Sequence, residues 1–154
     1  MAQALSPDEL VALIRRVFQP KEAEDRVAFL VDLPDERRAD TAAWQARRVL
    51  VQGWVKALDA LGAAVSLNAR VVVVRNAGAN NADLPDHAWD IGTGPIPDDA
   101  DALPLANARP LVDLLSEIPI WIAPTQFSAT APLKNLARTI PFRAATMPGF
   151  SDAM

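Results

Sequence analysis

Three hydroxyls crowd one short stretch of the chain: Thr125, Ser128 and Thr130 in PTQFSATAP follow directly on the apolar run of Ile118, Ile120, Trp121 and Ile122. Where such a run hands over to a helix, hydroxyls and free backbone N–H groups carry partial positive charge and can hold an anion. The commoner use of Ser128 or Thr130 at that place is simply to cap the helix. Asp32 stands near the end of VAFLVDL, the edge at which open α/β sheets bind ligands, so it is a candidate for a ligand or a cation, although an Asp there more often begins a turn. Asn76, just after RVVVVR, completes the candidate ligand contacts. The one histidine, His87, lies in PDHAWD beside Asp86 and Asp90. Imidazole with carboxylates is donor chemistry for zinc, manganese or iron, and the spacing of His87 and Asp90 suits one helical turn. A single His makes a weak metal site, and a loop His bonded to a neighbouring Asp is the commoner arrangement.

Other chemistries lack their residues. There is no G-x-S-x-G elbow, no G-x-x-x-x-G-K-[ST] and no G-x-G-x-x-G; the chain has 6 glycines, and Gly92-Thr93-Gly94 is too short and is not expected to follow a strand. It has no cysteine, which excludes disulfides, thiolate zinc sites and thiol nucleophiles. With 15 Lys and Arg against 19 Asp and Glu, it lacks the basic excess that binding nucleic acid requires. No apolar run approaches the length of a membrane span and the N-terminus has no signal-peptide core, so neither nucleic acid nor membrane is expected as a partner and the expected compartment is the cytoplasm.

The elements that would position these residues can be read from periodicity. Residues 119–149 form a βαβ unit: Leu133, Leu136, Ala137 and Ile140 mark a helix face, Pro141 ends the helix, and Phe142–Met147 is extended. Ser6-Pro7-Asp8-Glu9 starts a first helix with a capping box, followed by Leu10, Leu13, Ile14, Val17 and Phe18. Val27–Leu33 and Arg70–Arg75 read as strands buried on both faces. Between them, Asp40 or Thr41 caps the longest helix, with Trp44, Val51, Trp54, Val55, Leu58 and Leu61 inward and Gln45, Arg48, Gln52, Lys56 and Asp59 outward. Two Trp on that face could stack a flat ligand, but core packing is the usual use of such spacing. The helix either stops at Gly62 or runs on toward Asn68. Leu105–Glu117 reads as a helix regular from Ala108 or Arg109.

Residues 76–103 hold no Lys or Arg and six Asp among prolines and glycines, which reads as a long acidic loop anchored by Trp89 and Ile91; it is either a solvated surface, a cation-gathering loop or a contact surface. The 154 residues therefore read as a single α/β domain, a three-layer open sheet of about four mainly parallel strands with helices on both faces, Rossmann-like in plan.

FLVDLPDERRADTAAW, RNAGANNADLP and WIAPTQFSATAPLKNLARTIPFRAATMPGF resemble the N-terminal half of the thermophilic metalloaminopeptidase family, the aminopeptidase T type, and of its dihydroxypyridine dioxygenase-like relatives. The resemblance implies a non-catalytic N-terminal domain of a longer protein. The parent would be a metal-dependent aminopeptidase-like hydrolase or a ring-cleaving dioxygenase. The metal ligands of that family come from Glu, His, Asp and Tyr of the C-terminal half, and this chain has no tyrosine, so none of them carries over. The expectations are thus no cofactor in this chain and a divalent metal in the full-length parent. The expected partner is the missing C-terminal catalytic half or a second copy, and the chain taken alone would leave apolar surface uncovered. Two readings stand beside this one: a stand-alone small-molecule or anion-binding module built on the 125–130 turn, and an enzyme centred on His87 and its neighbouring aspartates.

Overall fold

A computed structural model of the chain describes residues 5–150. Helix α1 spans Pro7–Phe18, strand β1 Arg26–Leu33, helix α2 Ala42–Leu61, strand β2 Asn68–Arg75 and strand β3 His87–Gly92. Strand β4, Arg109–Pro110, leads directly into helix α3, Leu111–Glu117; strand β5 is Ile120–Ala123, helix α4 Thr130–Leu136 and strand β6 Arg143–Thr146. The sheet order is β4-β3-β2-β1-β5-β6. Strands β2, β1, β5 and β6 are mutually parallel, while β3 runs antiparallel to β2 and β4 antiparallel to β3.

The four parallel strands match the reading of the sequence; the two antiparallel ones correct it. Strand β3 lies inside the stretch expected to be a structureless loop, and it joins β2 through a register shift at Val71/Val72. A six-residue strand next to the edge shows no long apolar run: only Ala88 and Trp89 of β3 are buried. Helices α1 and α2 cover one face of the sheet, over Phe29, Val31, Val71 and Val73, and α3 and α4 cover the other, over Leu30, Val72, Val74 and Trp121. The opposed faces follow from winding. From β1 the chain steps outward one way to β2 through α2, and from β5 it steps the other way to β6 through α4, so crossovers of one hand place their helices on opposite sides. The reversal leaves a switch point between the carboxyl ends of β1 and β5.

Local chemistry sets the helix ends. Ser6 and Glu9 form the reciprocal capping box, and Thr41 Oγ1 accepts from Trp44 N at 3.1 Å. Helix α2 stops at Leu61 because Gly62 takes φ +51°, a left-handed conformation that costs a residue without Cβ little. Helices α3 and α4 are shorter than their apolar patterns suggested. Two short 3-10 turns and β4 occupy the residues before Leu111, and after Leu136 the chain tightens into turns before Pro141. Among the described residues no helix is long and apolar enough to cross a membrane.

Candidate functional site

The switch point is closed by the protein's own groups. Asp32 is 3% exposed, and its two carboxylate oxygens accept from Gln126 N at 2.7 Å and Phe127 N at 3.1 Å, so the turn after β5 already holds an anion. Trp44 reaches down from α2 to donate its Nε1 to the Asp32 carbonyl at 2.9 Å and sets its ring edge-on to Phe127. Burial pushes the Asp32 carboxyl above the usual carboxylate range, against the pull of the two backbone N–H bonds and the positive charge of Arg47.

The three hydroxyls are likewise engaged. Thr125, 1% exposed, donates to Phe127 O at 2.6 Å. Ser128 receives its partners from the loop after β2: its N donates to Asn80 Oδ1 at 2.9 Å and its Oγ to Asn81 Oδ1 at 3.2 Å. Asn81, at φ +60°, also accepts from Ala131 N at 3.1 Å, so it shares the first turn of α4 with Ser128, the expected cap, whose Oγ accepts from Thr130 N at 3.4 Å. Ser128 and Thr130 bond at 3.0 Å, and Thr130 meets Thr146 of β6 at 2.7 Å. Asn76 ties the ends of β1 and β2 by donating to Leu33 O at 2.9 Å. The result is a neutral string of amides and hydroxyls along the carboxyl rim. Chemically it holds hydrogen bonds in place; Ser128 Oγ has carboxamide and hydroxyl neighbours, none of them a base able to take its proton.

No family model matches the chain, and no curated protein or solved structure matches it.

His87 and Asp90 do not share a helical turn. They lie three apart on β3, where alternation turns them to opposite sides. His87 is exposed, while Asp90 accepts from Arg70 Nη1 at 2.9 Å and from Gly92 N at 3.0 Å. The other aspartates of the acidic stretch are spread out as well: Asp101 pairs with Arg75 at 2.8 Å, Asp98 lies 3.6 Å from Arg48, and Asp99 caps the short turn at Ala100–Ala102. Among the described residues no three His, Asp or Glu side chains converge as they would around a metal ion.

Two residues of the site escaped sequence reasoning. Arg47, 3% exposed, falls at i+3 from Trp44 and four before Val51, within the inward stripe of α2. Its Nε donates to Phe150 O at 2.9 Å and its Nη1 to Gln126 Oε1 at 2.8 Å. Arg48, expected to face outward, is 4% exposed and donates to both oxygens of Asp40, the closer at 2.5 Å. The signal available was a cation inside an apolar stripe, which calls for a buried acceptor. Farther along the same stripe Trp54 packs its ring against Phe29 and Phe150, and its Nε1 is the one buried side-chain polar atom among the described residues without an acceptor. Leaving such a donor unmet costs about 1–3 kcal/mol.

Proposed function

We propose that this chain is a non-catalytic α/β domain that positions the separate catalytic half of an aminopeptidase-like metalloenzyme and aids its assembly. The observation that carries this reading is the string Asn81, Ser128, Thr130 and Thr146 along the carboxyl rim, each already bonded to the next. Side chains fixed before contact lose little rotamer freedom when a partner covers them, and a neutral polar surface suits the rim of an interface. The likeness of three stretches to the N-terminal half of that family supports the metal-bearing half as the partner; a second copy of the chain is the other occupant the same rim would fit.

The anion-binding reading of the turn draws no support from this geometry. Its N–H groups are taken by Asp32, Asn80 and Asn81, and Thr125 is committed to Phe127 O. A bound anion would have to displace a carboxylate already seated there.

The test is to mix the chain with a separately produced metal-bearing half of an aminopeptidase-like protein and follow sedimentation. A complex is expected, and Thr146→Arg, which sets a charge in the middle of the hydroxyl string, is expected to abolish it. The chain alone with zinc, manganese or cobalt is expected to leave an aminoacyl anilide intact. Turnover by the chain alone, or a complex indifferent to Thr146→Arg, would overturn the reading.

A further inference from the structure

Met147, Pro148, Gly149 and Phe150 form a tight turn closed by Phe150 N donating to Met147 O at 3.2 Å. Pro148 suits the second position, and Gly149 at φ +65° supplies the left-handed third. The turn folds Phe150 back onto α2, where its ring lies 5.6 Å from that of Trp54 and its carbonyl accepts from Arg47 Nε. Phe150 thus fills a place with an aromatic shelf at one end and a guanidinium at the other.

That place is better matched to something other than Phe150. Among the described residues, the hydrogen bonds of the buried Arg47 go to neutral oxygens, Phe150 O and Gln126 Oε1, whereas a guanidinium is best satisfied by a carboxylate fork. Among the described residues, the carboxylate that acts on it is Asp32 of β1, which spends both oxygens on Gln126 and Phe127. Trp54, on the same helix face seven residues on, keeps a buried N–H with no acceptor. Phe150 thus lies between a half-matched buried cation near the carboxyl ends of the strands, where α/β folds bind ligands, and an aromatic shelf with an orphan donor over Phe29 of β1.

We infer that the place held by Phe150 is a binding site for a small aromatic carboxylate, with the Met147–Phe150 turn as its internal occupant. The ligand's ring replaces that of Phe150 on Trp54, and its carboxylate replaces the Phe150 carbonyl on Arg47. Because the site is filled from within, apparent affinity is reduced by the fraction of chains in which the turn is seated. This inference does not rest on the partner proposed for the rim.

The experiment uses 3-phenylpropanoate as probe, with 3-phenylpropylamine as the control of equal shape and opposite charge, and reads the indole N–H resonance of Trp54. The carboxylate is expected to move that resonance and to bind the Phe150→Ala chain about tenfold more tightly than the unmodified chain; the amine is expected to do neither. In the unmodified chain, saturating carboxylate is expected to speed hydrogen exchange at Gly149 N, which otherwise donates to Thr125 O at 3.0 Å. This second reading needs no variant. An unmoved Trp54 signal, equal effects of amine and carboxylate, or unchanged exchange at Gly149 would each overturn the inference.

Discussion

The centre of the sheet and its antiparallel edge use the same residue type in opposite ways. At the switch point between β1 and β5, one aspartate, Asp32, is dry, and both of its oxygens fix backbone N–H groups of a turn 94 and 95 residues away in sequence. At the antiparallel edge, aspartates lie in or near water and meet arginines: Asp90 with Arg70, Asp101 with Arg75, and Asp98, 95% exposed, 3.6 Å from Arg48. A carboxylate in the first setting has no water to fall back on, and its loss strands other polar groups. In the second, water replaces whatever is removed. Position relative to solvent, rather than the number of acidic residues, therefore decides where this fold is vulnerable.

The largest effect should come from the dry carboxylate. Asp32→Ala leaves the N–H groups of Gln126 and Phe127 without acceptors and removes a carboxylate that acts on Arg47. A loss of about 3–5 kcal/mol is expected from breaking a buried charged group's partnerships in this way. Urea unfolding at neutral pH measures it, and a loss under 1 kcal/mol would erase the contrast between the centre and the edge. A smaller effect is expected from Trp89→Phe at the antiparallel edge. The indole N–H donates to Pro104 O at 2.8 Å and ties β3 to the chain that returns toward β4. Its loss should cost about 1 kcal/mol with the ring's packing kept. The same unfolding measurement reads it.

How much of this was legible beforehand follows the range of the interactions. The helix starts at Ser6 and Thr41, the valine strand and the final βαβ unit are fixed by neighbours within a few residues, and periodicity reports them. Strand β3 was hidden because Ala88 and Trp89 are its only buried residues and because Asp, Pro and Gly surround it. The candidate residues Asp32, Asn76, Thr125, Ser128 and Thr130 do gather at one rim, yet what they do there depends on N–H groups and carboxamides far away in sequence. Asn81 capping α4 from 50 residues upstream leaves no mark that a local pattern could carry. Arg47 left a faint one, a cation between Trp44 and Val51 on an apolar stripe.

Acid should separate the settings by sign. Asp32 titrates higher in the folded chain than its unfolded value near 3.9. The folded state therefore holds that proton more tightly, and the burden of the buried charge, present above the folded pKa, is relieved as pH falls through it. Asp40 is held below the usual carboxylate range, first by its bond to Arg48. Its contribution is present above the unfolded value and is lost as pH falls through the lower folded pKa. Measured by urea unfolding from pH 7 downward, the stability of the unmodified chain relative to Asp32→Asn should rise on acidification, and relative to Asp40→Asn it should fall. Slopes of the same sign would show that the two carboxylates do not differ in kind.

The smallest effect belongs to Asp101→Asn. Asp101 and Arg75 meet at 2.8 Å, but their side chains are 47% and 43% exposed, so water and salt share the interaction. Removing the charge is expected to change stability by no more than about 1 kcal/mol at low ionic strength, and by less as salt is raised and the Debye length shrinks. Unfolding curves at two salt concentrations test this directly. A large loss independent of salt would mean that the Arg75–Asp101 pair holds the antiparallel edge in place as Asp32 holds the turn. The acidic stretch would then be a second buried framework and not a solvated one.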